Sequence, residues 1–309
     1  MRMLISGSTG LIGTALIECM QHHDHEMVRL VRPGTRIGAG SARLSGDEKS
    51  VPWNPASTTI DSAADGADAV VHLAGASIAG GRWTAARKRE LRASRVAATR
   101  NLVTALGALR RPPKIFVAAS AIGIYGSRGS EELTESSAPG NDFLAHLTRE
   151  WETESAHAAD FGARTVLLRF GVILASGGGA LPRMALPFRL GVGGRIGSGR
   201  QWISWIAIED VIGIIRYALA TGLLSGSANV VAPAPVTNAE FAATLGRVLH
   251  RPAILPTPAI ALRLAFGEMA DALLLSSQRV YPNKVQHLGY THLHPELEEA
   301  LRSELGKSR

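Results

Sequence analysis

Three observations predict an α/β protein with a doubly wound parallel sheet and a smaller C-terminal lobe. Strand-like and helix-like runs alternate through the first half of the chain, the pattern of a parallel sheet with helices on both faces. A short apolar run at the start, Met3-Leu4-Ile5, passes through a glycine-rich turn directly into a helical pattern. Near residue 171 the character changes, and glycines crowd positions 177–179, 191, 193, 194, 197 and 199. From about Pro235 Pro-rich turns alternate with apolar helices, so the expected division is residues 1–234 and 235–309, with 171–205 forming a wall on the far side of the crevice.

The chain has 309 residues, 46% of them hydrophobic and 19% charged, enough for one large α/β domain with an added lobe and against wholesale disorder. No apolar run reaches the roughly 18 residues of a membrane span. A single cysteine excludes an internal disulfide framework, and Cys19 falls on the apolar face of the first helix. The first strand begins at once, with no signal-like segment before it. The expectation is a cytoplasmic protein with no membrane partner. The net charge of +7 gathers on Arg82, Arg87, Lys88, Arg89, Arg92 and their neighbours up to Arg111. That is the pattern of one solvated helix face. Interleaved aromatics are missing, so no nucleic acid is expected. No spacing suggests a metal site.

The elements follow in order. Met3–Ile5 reads as a buried strand, and Leu11, Ile12, Ala15, Leu16 and Cys19 recur at helical spacing. Between them stands Gly7-x-x-Gly10-x-x-Gly13. Gly7 permits a tight turn, Gly10 lets the backbone approach a pyrophosphate, and Gly13 allows helix and strand to pack closely. The helix N-terminus offers free N–H groups to phosphates. Strand, turn and helix in that order define a Rossmann-type dinucleotide site. At the end of the second strand, residues 27–31, an NAD-preferring site carries an acid for the ribose hydroxyls. Here Arg32 stands in that place with Arg36 behind it, which suits the 2′-phosphate of NADP. The bland alternative is a surface arginine pair.

Residues 34–58 read as a loop or short crossover. Asp68–Leu73 is the next strand, and Ala74 and Gly75 leave room for a ligand at its tip. His72 reads as a satisfied strand-end residue. A long helix from about 84 to 106, a buried strand at 114–119, the loop Ser120–Gly126, a helix over 142–161 and a strand at 164–169 follow. Residues 206–220 read as a strand end leading into a helix, and 229–231 as a short strand. Ligands of open α/β sheets bind beyond the carboxyl ends of the strands, so the tips at Gly7, Arg32, Ala74 and Ser120 are expected to converge. Residues 171–199 are expected to be loop, and Trp202-Ile203-Ser204-Trp205 reads either as a ligand wall or as core anchors.

Together these residues resemble the extended short-chain dehydrogenase/reductases, the nucleotide-sugar epimerase and dehydratase superfamily. The resemblance rests on the glycine turn, His72-Leu73-Ala74-Gly75, Tyr125-Gly126 and Trp205–Val211. It is closer to the "epimerase family protein" branch, which ends in a domain of unknown function. Ser120-Ala121-x-Gly123-x-Tyr125-Gly126, Trp151-Glu152, Arg169-x-Gly171-Val172, Pro187–Gly191, Asn238–Phe241 and His250–Ala253 carry that likeness. The resemblance implies an NADP(H) cofactor held at Gly7, Thr9, Gly10, Leu11, Ile12 and Gly13. It adds Arg32, the Leu73, Ala74 and Gly75 tip, and Val172. It places Arg95, with Glu90 a turn or so before it, on the long helix within reach of the phosphates; alternatively Arg95 is one more solvated arginine. It implies a small-molecule substrate, nucleotide-sugar-like or otherwise unknown, and a homodimer through the helices at 84–106 and 142–161, which the mixed polar faces here do not compel.

The superfamily's chemistry uses a Ser or Thr with Tyr-x-x-x-Lys, the tyrosinate serving as general acid or base. Between 141 and 159 this chain has neither Tyr nor Lys, and the usual serine place is Ala121. Ser120 and Tyr125 are the nearest candidates for catalysis, with His146 the nearest titratable group on the helix. Three readings stay open: relocated chemistry, hydride transfer assisted by a substrate acid, or an NADP(H)-binding regulatory module without turnover.

Overall fold

The computed structural model describes residues 1–21, 25–34 and 49–306. Its centre is a seven-stranded sheet whose strands are all parallel. In chain order they are β1 (Arg2–Ser6), β2 (Glu26–Val31), β3 (Lys49–Pro52), β4 (Ala69–His72), β5 (Ile115–Ala121), β6 (Arg164–Phe170) and β7 (Gly226–Val230). Across the sheet they run β3-β2-β1-β4-β5-β6-β7. The order reverses at β1, so the crevice opens beyond the carboxyl ends of β1 and β4. The predicted α/β class and Rossmann arrangement hold.

Alternation along the strands sorts side chains onto two faces. Met3, Ile5, Val71, Val117 and Val166 join one core, beneath helices α1 (Leu11–Met20) and, later in the chain, Ile208–Ala220. Leu4, Val70, Phe116, Ala118 and Leu167 join the other, beneath a helix at Ala98–Gly107. Both faces are covered, so Leu4 and Ile5 are both fully buried although adjacent. Each such side chain removed from water contributes about 1.5–3 kcal/mol.

The long helix begins one residue after the Thr84 N-cap, whose side chain accepts from Arg87 N–H. It runs as α2 (Ala85–Arg92), a π-helical segment at Ala93–Ala97 and α3 (Ala98–Gly107). The π segment was not anticipated, and Arg95 lies on it. Helix α4 (Phe143–Ala156) is capped by Asp142, which accepts from Ala145 N–H at 2.8 Å.

Residues 171–199 depart from the expected loop. They contain a strand at Val172–Leu174, paired with Trp205–Ala207, and helix α5 (Leu181–Arg189). Both belong to a third core with α7 (Asn238–Leu249) and α10 (Leu297–Gly306), whereas α6 (Ile208–Ala220) and α9 (Asn283–His287) pack in the first core and α8 (Ala259–Phe266) buries no residue. Leu174, Leu181 and Trp205 pack there with Phe241, Leu245 and Leu301. Residue 234 therefore does not separate two cores; the smaller lobe is assembled from both sides of it. Trp205 is an anchor of that core, fully buried with its indole N–H on Ala234 O at 3.0 Å, while Trp202 is half-buried beneath the Arg279 guanidinium.

Candidate functional site

The turn after β1 is held to its geometry by steric exclusion. Gly7 has φ +70°, and a Cβ there would sit 2.7 Å from Leu73 C and 2.8 Å from Ala74 N. Gly10 N–H donates to Gly7 O at 3.0 Å, closing the turn. A Cβ on Gly13 would lie 2.3 Å from that same Gly7 oxygen, so helix α1 can approach the strand only with glycine there. Gly10 is the N-cap and offers no side-chain acceptor. The first amides of α1, at Leu11, Ile12 and Gly13, have no partner within the helix and follow exposed Thr9, with the positive end of the helix behind them. A tight glycine turn leading into unpartnered helix amides fits a pyrophosphate.

Of the four strand tips expected to converge, those at Gly7 and Ala74 are adjacent. Leu73 N–H donates to Ser6 O at 3.2 Å, bringing Leu73, Ala74 and Gly75 beside the cradle. His72 is fully buried and bridges Ser6 Oγ at 2.6 Å and Thr99 Oγ1 at 2.9 Å, and Trp151 Nε1 donates to the same threonine at 3.0 Å. Burial pulls its pKa down to about 4, so it is a neutral brace between β1, β4, α3 and α4. Arg32, just past β2, is exposed and has no ion pair among the described residues. Arg36 lies outside the described residues.

Arg95 reaches the same crevice. Its Nη2 donates to Ala76 O at 2.9 Å, its Nη1 lies 3.5 Å from Ser94 Oγ, and the guanidinium stacks over Trp151 with its carbon 5.3 Å from the ring centre. A Cβ on Gly75 would touch it at 3.4 Å. Burial, with Arg87 nearby, pulls its pKa down to about 10, and no carboxylate faces it among the described residues. Glu90 is exposed and ion-paired to Arg87 at 2.6 Å. It does not pair with Arg95, and it touches the rim only through Arg87, whose Nη2 donates to Ser77 O. Val172 follows Gly171 at the end of β6, half-buried, its N–H on Ser204 O at 2.8 Å. The lobe closes on the cradle at Leu11, whose side chain would lie 2.9 Å from a Cβ on Gly179.

The two candidate catalytic hydroxyls are placed elsewhere. Ser120 is 3% exposed and donates to Glu152 Oε1 at 2.5 Å. Tyr125 is fully buried; its hydroxyl donates to Asn229 Oδ1 at 2.7 Å and accepts from Arg169 Nη1 at 2.9 Å. Burial raises its pKa, with Arg169 opposing. Between them lies a buried bidentate pair, Arg169 Nε and Nη2 on the two oxygens of Glu152, both at 2.8 Å. Ser227 Oγ adds a bond to the same carboxylate at 3.2 Å. This is a network under the sheet edge that ties β5, α4, β6 and β7 together. Both hydroxyl protons are engaged inside this network, Ser120 on Glu152 and Tyr125 on Asn229. His146 is exposed on α4, against Arg149.

The positions of α4 that do face the loop after β5 are Leu144 and Thr148, one turn apart; a Cβ on Gly123 would meet Leu144 Cβ at 3.4 Å and Thr148 Oγ1 at 3.9 Å. A Tyr-x-x-x-Lys pair would present its side chains from two such positions. Here an alkyl group and a buried hydroxyl stand there. The adjoining wall is apolar, with Leu73, Ala76, Ile78, Phe143, Leu144 and Leu273 packed on a cluster of Trp83, Leu147 and Trp151. Sequence reading missed the Glu152–Arg169 pair. Its signal was a carboxylate and a guanidinium at inward positions of otherwise apolar elements. Among the described residues no His, Cys, Asp or Glu cluster has metal-binding geometry.

Cradle, strand order and crevice define a nucleotide-binding Rossmann protein, and residues 3–230 match the model of the NAD dependent epimerase/dehydratase family, to which the chain belongs. Residues 257–304 match a domain of unknown function, DUF1731. The chain is 42% identical over 298 residues to the epimerase family protein Mb2239 of Mycobacterium bovis, spanning 96% of this chain and 95% of that one. It is 38% identical to the epimerase family protein YfhF of Bacillus subtilis, with 97% of each covered. Among solved structures, the human epimerase family protein SDR39U1 with NADPH matches at TM-score 0.86 and 36% identity over 99% of both chains. The "epimerase family protein" resemblance drawn from the motifs holds.

Proposed function

We propose that the chain is an NADP(H)-binding protein that holds the dinucleotide against a small molecule and works without the tyrosine–lysine acid/base pair of its superfamily. The observation that carries this is the cradle: a Cβ at Gly7 or Gly13 would overlap backbone atoms at 2.7 and 2.3 Å. Gly7, Gly10 and Gly13 with the amides of Leu11 and Ile12 would hold the pyrophosphate. Leu73, Ala74, Gly75 and Val172 would flank the rest, and Arg32 the 2′-phosphate. The NADPH in the human relative supports the same choice of cofactor. When bound, the nicotinamide supplies a centre that gives or takes a hydride. The chain's own part is to exclude water with its apolar wall and to orient the partner molecule.

The apolar part of that wall, with Leu73, Ile78, Leu144 and Leu273 in it, favours a small molecule with an apolar portion. A second reading, a binding module without turnover, is favoured by one observation: Ser120 and Tyr125 are both consumed by the Glu152–Arg169 network. A fluorescence titration with NADPH and NADH tests the cofactor reading. NADPH binds more tightly to the native chain, and Arg32→Asp reverses the order; equal affinities in the native protein refute it. Mass spectrometry of apolar carbonyl compounds and nucleotide sugars incubated with the NADPH-loaded protein separates turnover from binding alone.

A further inference from the structure

The face that carries α5 and α8 differs from the rest of the surface. Eleven large apolar side chains are exposed among the described residues, and eight of them fall within 186–192 and 254–266. The two stretches lie side by side. Leu255 N–H donates to Gly193 O at 3.2 Å and Thr257 N–H to Arg195 O at 2.9 Å. A Cβ on Gly194 would lie 2.2 Å from Leu255 O, and one on Gly197 would lie 3.6 Å from Ala259 Cβ at the start of α8. Helix α8, Ala-Ile-Ala-Leu-Arg-Leu-Ala-Phe, has no buried residue. A surface helix of a globular protein normally hides its apolar stripe. Here Ile260 and Leu264, one turn apart, are 68% and 74% exposed, and Leu186 and Leu190 on α5 are 55% and 69% exposed. A contiguous apolar patch of this kind marks an interaction surface.

The charge around it has one sign. From Ser176 to Ile208 there is no Asp or Glu but there are Arg183, Arg189, Arg195 and Arg200. From Phe241 to Gly267 there is again no carboxylate, with Arg247, Arg251 and Arg263 present. The acids that meet it are already paired, Glu268 with Lys88, Asp271 with Arg263 and Glu298 with Arg247 and Arg302. Arg189 and Arg251 have no carboxylate partner among the described residues.

We propose that this face docks on an anionic lipid surface, with the leucines and isoleucines in the acyl boundary and the arginines at the headgroups. No helix among the described residues is long and apolar enough to cross a membrane, and interfacial docking needs none. A second copy of the chain fits poorly, since a two-fold contact would set the same arginines against one another. The face also borders the crevice mouth. Arg183 Nη1 donates to Ala79 O at 3.3 Å and Arg82 Nη1 to Leu264 O at 3.2 Å, tying α5 and α8 to the 76–83 loop. Docking turns the apolar wall of the crevice toward the bilayer. The docking surface stands independently of the dinucleotide reading.

The test is sedimentation of the full chain with vesicles of phosphatidylcholine alone and of phosphatidylcholine mixed with phosphatidylglycerol. The chain pellets with the mixed vesicles, about tenfold less with the neutral ones, and is released by high salt. The double variant Leu190→Asp, Leu264→Asp loses binding by at least about tenfold with its melting temperature and NADPH affinity unchanged, since both positions are exposed. Arg189→Glu with Arg251→Glu weakens binding to the mixed vesicles alone. Equal partition onto both vesicle types overturns the proposal. So does pelleting that survives both double variants, or a dimer seen by light scattering that the aspartates dissolve while vesicles go unbound.

Discussion

Replacing Tyr125 with phenylalanine separates a structural hydroxyl from a catalytic one. The hydroxyl makes two bonds inside the protein, donating to Asn229 Oδ1 at 2.7 Å and accepting from Arg169 Nη1 at 2.9 Å. Asn229 Nδ2 is committed to Tyr281 O at 3.0 Å, which fixes the amide so that its oxygen cannot turn to another donor. Tyr125→Phe therefore removes one neutral bond, worth about 1 kcal/mol, and one charge-assisted bond, worth about 1.5–3 kcal/mol. The loss is about 2.5–4 kcal/mol. A chain of 309 residues has an unfolding entropy of roughly 0.65 kcal/mol per kelvin, so the melting temperature falls by about 4–6 °C. Thermal unfolding followed by circular dichroism reads this directly. NADPH titration of the same variant gives an unchanged dissociation constant, because the side chain lies in the network and not in the crevice. A variant with native melting temperature and altered nucleotide binding or turnover refutes the reasoning and returns Tyr125 to the chemistry.

Three further outcomes follow from the site. Gly13→Ala drives a Cβ to within 2.3 Å of Gly7 O, so it destabilises by about 1–3 kcal/mol and lowers NADPH affinity in the same fluorescence titration more than an alanine at exposed Thr9 does. His72 has a folded pKa pulled down to about 4 from 6.5; the unfolded chain binds the proton more readily, so this stability is fully present above pH 6.5 and is lost as pH falls toward 4, by an amount on the order of 3 kcal/mol. Urea unfolding at pH 7.5 and pH 5 measures it, and His72→Gln flattens the difference. Arg95→Gln removes a half-buried cation that has no carboxylate partner among the described residues, leaving the free protein as stable or more so while weakening NADPH about tenfold, or 1.4 kcal/mol; a less stable protein with native affinity would assign Arg95 to its bond with Ala76 O alone.

What the sequence disclosed and what it hid divide along a physical line. The cradle was legible because its requirements are local: Gly7, Gly10 and Gly13 each answer a steric need within a dozen residues. The sheet was legible because Met3–Ile5, Val70–Val71 and Phe116–Ala119 are apolar on both faces. Helix α4 was legible from Asp142 and its spacing. The make-up of the smaller lobe was not, since Leu174, Trp205, Phe241 and Leu301 meet in one core from a span of more than a hundred residues, and no local pattern encodes that meeting. The π segment under Arg95 leaves no signature either: Ala93–Ala97 would serve as well in an α-helix. Tyr125 misled for a similar reason. A 3-10 turn over Ile122–Tyr125 rotates the side chain under the sheet edge, and composition does not reveal a rotation.

On the proposed reading, the same network keeps Ser120 and Tyr125 out of the chemistry. Glu152 and Arg169 form a buried pair, and removing either partner alone from such a pair costs about 3–5 kcal/mol. Ser120, Ser227 and Tyr125 complete the hydrogen bonding that makes it tolerable in the interior. A hydroxyl held by a carboxylate, or shared between a guanidinium and a fixed amide, is a poor proton relay, because moving its proton breaks a bond the fold depends on. The crevice face of α4 offers only Leu144 and Thr148 in exchange. On the proposed reading, a proton that accompanies a hydride comes from water or from the bound molecule itself. The rate of such a reaction would follow the acidity of the substrate and show no titration of a tyrosine, which distinguishes it from the tyrosinate mechanism in a pH profile.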